Sequence, residues 1–244
     1  MINKTYMFTC LFILKFAVCF AQFTGSNHID SYLNGKVDSV VTINYSTLRG
    51  PDKLVKKNIT AKTVDLFNKK SELIAEFFYL HHGEQMVKST TLNYTYDKNG
   101  NLLHLKIQRS NGENNETTYI TKGSIVSLSN GVKIKIDAKG KKIENSEYDN
   151  SGKVSYKSYY KYNINEKLIE QNIYRGNDNS LMSTDVYEYD KYGNEVKEYD
   201  KSHPTQSITY TYDAYDKMHN WIKRTMYKYG TPIGIDERQI VYHK

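Results

Sequence analysis

The chain has 244 residues, with 34 Lys and Arg against 27 Asp and Glu, for a formal net charge of +7. Both cysteines, Cys10 and Cys19, lie in the first 21 residues, so the remainder can form no disulfide, thiol nucleophile or thiolate metal site. Tyrosine supplies 23 residues and proline 3, a balance that favours strands with polar, aromatic faces over helices.

Residues 1–21, "MINKTYMFTCLFILKFAVCFA", pair a basic start at Lys4 with an apolar run from Met7 to Phe20, broken by Lys15 and ending at Ala21. The run is too short to span a bilayer and closes on a small residue, the pattern of a secretory signal peptide. The expectation is an exported protein, periplasmic, on the outer cell surface or extracellular, with no membrane span in the mature chain. Loss of Lys4 and Lys15 takes the net charge from +7 to +5. The other lysines scatter through turns ("KNG", "AKGKK", "DKYGN") and do not gather on one face, so no nucleic-acid partner is expected.

Residues 22–36 read as a polar lead-in, and 37–244 as a single repeat domain. The first segment, "KVDSVVTINYS", alternates with Val37, Val41, Ile43 and Tyr45 on one face, the period of a strand. "RGPDK" breaks it, and two further strands flank "FNKKSEL". Beyond these, one frame recurs: an aromatic or aliphatic residue, Asp or Asn, two polar residues, a turn residue, a polar residue, then a strand. It appears at "YDKNGNLL", "IDAKGKKI", "YDNSGKVS", "YNINEKLI", "YDKYGNEV" and "YDKMHNWI", with "FNKKSELI" a distant copy.

The frame has a local physical cause. The leading carboxylate or amide accepts backbone N–H groups two residues on, and Gly in the fourth place takes positive φ at no steric cost. Asp97 with Gly100, Asp149 with Gly152, and Asp190 with Gly193 are thus structural pivots of hairpins. Where Ser71, Glu166 or His219 replaces Gly, a looser or different turn is expected. The pivots at 68, 97, 137, 149, 163, 190 and 216 are unevenly spaced, as in an array with variable loops. "SNGV" reads as a short hairpin and "RSNGENNE" as a longer loop. The fold expected is all-β: fourteen to sixteen short strands in an antiparallel meander, twisted into an open curved sheet or partial barrel or shell.

"YTYDKNGNLL" and "YEYDKYGNEV" resemble the YD repeats of the Rhs family. The opening "LNGKVDSV" and the tail "YDKMHNWIKRTMY", followed by "YGTPIG" and "DERQIVY", are similar to small secreted Rhs-like proteins of Gram-negative bacteria. In large members such repeats spiral into a hollow β-shell around a toxin. For so few hairpins the resemblance implies a curved sheet or a fraction of a shell.

Little here carries catalytic chemistry. Asp97 and Asp149 could open calcium loops, but the residues eleven places on are Gln108 and Tyr160, not acids. In "HHGE" only His82 and Glu84 share a strand face with each other, and no third ligand is fixed by spacing. No nucleophile motif or phosphate loop is present. Neither a metal nor a cofactor is expected, and no enzyme. The candidate binding face is the set Tyr94, Tyr96, Tyr187, Tyr189, Tyr210 and Tyr212, whose Tyr-x-Tyr pairs share faces and could stack sugar rings or a peptide strand. Trp221, the sole tryptophan, stands as an end plug or an exposed binding aromatic. The expected function is an exported, non-catalytic binding or scaffold protein for a polypeptide or glycan. The alternatives are a secreted glycan-acting hydrolase and a remnant shell component of an Rhs-type toxin system.

Overall fold

The computed structural model describes residues 33–49, 54–82 and 85–244. The expected signal peptide, and the expected lead-in as far as residue 32, lie outside them. Sixteen strands follow in chain order: β1 (Val37–Arg49), β2 (Leu54–Phe67), β3 (Leu73–His82), β4 (Gln85–Tyr96), β5 (Leu102–Arg109), β6 (Asn114–Lys122), β7 (Ile125–Leu128), β8 (Lys133–Ile136), β9 (Lys142–Tyr148), β10 (Val154–Tyr162), β11 (Leu168–Arg175), β12 (Leu181–Tyr189), β13 (Glu195–Asp200), β14 (Ile208–Tyr215), β15 (Trp221–Lys228) and β16 (Thr231–Tyr242).

Each strand pairs antiparallel with its sequence neighbours, and β16 returns to pair with β1, from Val37 opposite Tyr242 to Ser46 opposite Gly234. The sheet is therefore a closed barrel. This corrects the expected open sheet or partial shell. Closure satisfies the two backbone edges that an open meander would leave to water or to another chain.

The meander sends alternate turns to opposite ends. Six pivots, at Asn68, Asp97, Asp137, Asn163, Asp190 and Asp216, join even strands to odd ones and share one end, the pivot rim. Asp149 joins β9 to β10 at the far rim, which explains the short spacings on either side of it. All seven loops have one geometry. The pivot N–H donates to the carbonyl four residues on and its own carbonyl accepts from the third residue, as in Asp97 N to Asn101 O at 2.8 Å and Gly100 N to Asp97 O at 3.1 Å. The pivot side chain adds the Asx turn: Asp97 Oδ1 accepts from the N–H of Asn99 at 2.8 Å and of Asn101 at 2.9 Å.

Ser71, Glu166 and His219 do not loosen this turn. They take the same left-handed backbone as the glycines, with φ of 63°, 65° and 63°, at a cost of about 1 to 2 kcal/mol each. The ladders on both sides and the paired hydrogen bonds impose the conformation on whatever residue stands there. "RSNGE" and the Leu128–Val132 loop close the same way, with Gly112 N to Arg109 O at 3.0 Å and Gly131 N to Leu128 O at 3.0 Å.

A second regularity follows every pivot. The residue before the pivot pairs with the fifth residue after it, while the next pair back meets the seventh. Tyr96 thus faces Leu102 and Thr95 faces His104, leaving Leu103 bulged. The same slip occurs at Phe67, Ile136, Tyr148, Tyr162, Tyr189 and Tyr215. A bulge adds right-handed twist, and one per pivot hairpin helps bend the sheet toward closure.

Bulges also decide which face is inside. On β1 a slip between Val37 and Ser39 turns Val40 inward, where it is fully buried opposite Ile240. Val41, Ile43 and Tyr45, expected to share a face with Val37, take the opposite face. The apolar inner surface runs over β1 to β8, with Val40, Phe67, Leu73, Leu92, Leu105 and Val126 among its buried members. Residues 33–36, read as lead-in, belong to the barrel: Leu33 packs on this cluster, and Asn220 Nδ2 donates to Asn34 O at 2.9 Å while its Oδ1 accepts from Asn34 N at 2.6 Å.

Candidate functional site on the polar inner wall

From β9 to β16 the inner face changes character. Following the ladder pairs round the barrel, the inward positions include Gln171, Asp185, Tyr187, Glu198, Tyr210, Arg224 and Asp236. Aliphatic residues are sparse, and several of the polar groups pair with one another.

The densest group centres on Arg224. Its Nε donates to Asp236 Oδ2 at 2.7 Å, and Asn44 Nδ2 donates to Asp236 Oδ1 at 2.6 Å. The guanidinium lies 4.5 Å from the Tyr210 ring centroid and 4.6 Å from that of Trp221, whose ring also meets Arg238 at 3.6 Å. Charge and ring quadrupole attract in such pairs, more strongly where water is excluded. Trp221 is accordingly 8% exposed, and what it exposes is not a free binding ring. Tyr212 sits 5.8 Å from Trp221 and donates its hydroxyl to the carbonyl of Glu195 at 2.7 Å.

Glu195 and Glu198 share the inner face of β13, opposite Tyr189 and Tyr187. Burial, reinforced by the nearby Glu198, pushes the Glu195 carboxyl up to about 8. One acid is thus held protonated near neutral pH beside another, an arrangement that sequence reasoning did not single out. Its only trace in the sequence is the "NEVKEYD" spacing, and the bulge at Val196 is what brings both acids to one side.

The six candidate tyrosines do not form one face. Tyr94 and Tyr96 lie on β4 in the apolar wall, eight ladder steps from Tyr187 and Tyr189 on β12, halfway round the ring. The buried Tyr94 hydroxyl donates to Glu76, and Tyr96 donates to Leu73 O at 2.8 Å. That last contact recurs at the pivot rim. Tyr162 donates to Lys142 O and Tyr189 to Leu168 O, each at 2.8 Å, tying these hairpins to the ones before them. The second tyrosine of the motif is thereby occupied in holding adjacent hairpins together.

Hollows open between neighbouring pivots. One of about 550 Å³ is lined by Asn68, Glu72, Ile74, Tyr94, Tyr96 and Asp97, and one of about 250 Å³ by Asn163, Lys167, Ile169, Tyr187, Tyr189 and Asp190. These residues occupy identical offsets from their pivots, so the hollow is a property of the repeat. In the second, burial pushes the Lys167 ammonium down to about 8. A Cβ at Gly193 would stand 2.9 Å from Lys167 Cε, so this glycine serves both its φ of 83° and the room for that lysine. His81 is exposed on β3, while the His82 side chain and Glu84 lie outside the described residues.

No protein-family model matches the chain, and no curated protein matches it. Among solved structures, it is similar to a porin-like protein from Bacteroides uniformis ATCC 8492, with 11% identity, a TM-score of 0.45, and coverage of 86% of this chain and 99% of that one. It is also similar to TcdB2-TccC3 without its hypervariable C-terminal region, with 13% identity, a TM-score of 0.24, and coverage of 73% of this chain and 13% of that one. The likeness to Rhs repeats rests on the turn frame.

Proposed function

We propose that the chain is an exported, non-catalytic binding or scaffold barrel that engages a segment of polypeptide or glycan along the polar inner wall. The observation that supports this reading is the division of the inner face: β1 to β8 pack apolar side chains together, while β9 to β16 present tyrosine rings beside carboxylates and guanidinium groups. Such a mixture suits a ligand with apolar faces and hydroxyl or amide edges. Closure also bears on the mode of binding, because no strand edge is left for a peptide to extend.

The outer wall supports a barrel that stands in water. Opposite the inner positions, β5 to β15 carry Lys106, Lys157, Glu170, Glu188, Lys197 and Lys223. A lysine turned toward lipid at mid-height would cost about 2 to 4 kcal/mol. On this reading the surroundings of the barrel are aqueous.

The pair Glu195 and Glu198 favours a second reading, a glycan-acting hydrolase in which Glu195 is the proton donor and Glu198 the ionised partner. One experiment separates the two. The mature protein is titrated with envelope-derived peptides and oligosaccharides by calorimetry, and each mixture is then analysed for cleavage. Binding without cleavage, weakened about tenfold in Tyr187→Ala and unchanged in the outer-wall variant Lys106→Gln, is expected. No binding, or binding indifferent to Tyr187, would overturn the proposal, and cleavage abolished by Glu195→Gln would establish the hydrolase.

A further inference from the structure

Strands β1 and β2 are apolar on both faces. On β1, Val40 points inward to the buried cluster and Asn44 inward to Asp236, so Ser39, Val41 and Ile43 point outward. Register then lays three outer rows across β16, β1 and β2: Glu237, Ile43 and Lys62; Gln239, Val41 and Val64; Val241, Ser39 and Leu66. Val241 is 45% exposed, and Val41, Ile43, Val64 and Leu66 each keep part of their surface open. A strand that is apolar on both faces has the pattern of one covered on both, and the inner core covers only one of them. The charges of the patch stand one on each side of its apolar middle, Glu237 on β16 and Lys62 on β2. Lys56 holds Glu237 Oε2 at 2.8 Å, and a carboxylate has room for a second cation. Lys62 lies 5.3 Å from the Tyr79 ring and has no ion pair among the described residues.

We propose that this outer face pairs two copies of the chain about a two-fold axis running along β1. Rotation about that axis lays β1 on β1 of the second copy and exchanges the flanking strands. Lys62 of each copy then meets Glu237 of the other, and Leu66 meets Val241, while Val41 and Ile43 each meet their own counterpart. An acid and a base on opposite sides of an apolar strand form the self-complementary pattern that an isologous interface requires, whereas a patch of one charge would repel its copy. The outer wall of a barrel is convex, so contact is confined to the few strands nearest the axis, and these are β16, β1 and β2. The result is an equilibrium between monomer and a side-by-side dimer. This inference stands apart from the ligand reading, because none of its residues belongs to the inner wall.

The test is sedimentation equilibrium of residues 22–244. Concentration-dependent dimers are expected for the wild type and monomer alone for Ile43→Lys. Lys62→Glu and Glu237→Lys, each by itself, set like charges against each other twice across the axis and should weaken pairing at least about tenfold. An equimolar mixture of these two variants restores both opposite-charge contacts and should recover most of the wild-type affinity. Lys157→Glu, on the outer wall of β10, should change nothing. All these substitutions fall on outward side chains and leave the inner wall intact. A wild type that stays monomeric, pairing indifferent to the two charge variants, or a mixture no tighter than either variant alone would overturn the proposal. Retention on phosphatidylcholine vesicles that Ile43→Lys abolishes, with no pairing in solution, would assign the face to lipid and overturn it as well.

Discussion

Replacing Asp236 by alanine is expected to cost about 3 to 5 kcal/mol and to lower the melting temperature by roughly 10 °C. Asp236 is 3% exposed and is the partner of both Arg224 and Asn44. Its removal strands a guanidinium and an amide inside the wall, which costs more than the pair contributes net. Asp236→Asn keeps an acceptor and should cost less. Arg224→Met combined with Asp236→Leu removes both charges and should recover at least half of the loss, a coupling readable from a double-mutant cycle. A wild-type melting curve for Asp236→Ala would show that the Arg224 group does not hold β15, β16 and β1 together.

The second large effect concerns pH. The fold favours the protonated form of Glu195, pushed up to about 8 by burial and by Glu198. Its contribution to stability is complete below the unfolded carboxylate value, near 4.3, and drains away as pH rises toward about 8. The pivots act in the opposite sense. Side-chain and backbone donors from Asn101 hold Asp97 below its ordinary value, and donors from Ser151 and Lys153 do so for Asp149. Their contribution is present above the unfolded aspartate value, near 3.9, and is lost as pH falls through the folded one. Stability should therefore peak in mildly acid solution. Glu195→Gln should flatten the decline from pH 5 to 8 and stabilise the protein at pH 8 by a few kcal/mol, as measured by urea denaturation at each pH. An unchanged slope in this variant would contradict the buried, protonated carboxyl.

Much of this architecture is legible in the residues because its causes are local. The pivot loops can be read from an acceptor at Asp97 or Asp190 and a left-handed position three residues later, and the strand count follows from period two between them. The ring closure is not local: Ser39 pairs with Val241 across nearly the whole described chain, and only accumulated twist and bulging bring those strands together. Bulges are the feature least visible in a period of two. Each shifts the phase of a strand by one residue, so Val41 and Ile43 lost the core face to Val40, and Glu198 gained the same side as Glu195. Equivalent repeat positions share a face only within each pair, because a closed ring places Tyr94 and Tyr187 on opposite walls. The protonated acid on the polar wall was hidden because burial in a hollow barrel depends on the ring, not on the strand.

The most direct measurement of ring closure is a disulfide across the seam. Val41 and Gln239 are register partners on β1 and β16, and directly opposed antiparallel residues lie about 4.5 to 5.5 Å apart at Cα, within disulfide reach. Residues 22–244 contain no cysteine, so in that segment the introduced pair has no competing thiol. Oxidation of Val41→Cys with Gln239→Cys should give a quantitative intramolecular cross-link in the folded monomer. A failure to cross-link, or cross-links found only between molecules, would contradict the closed barrel.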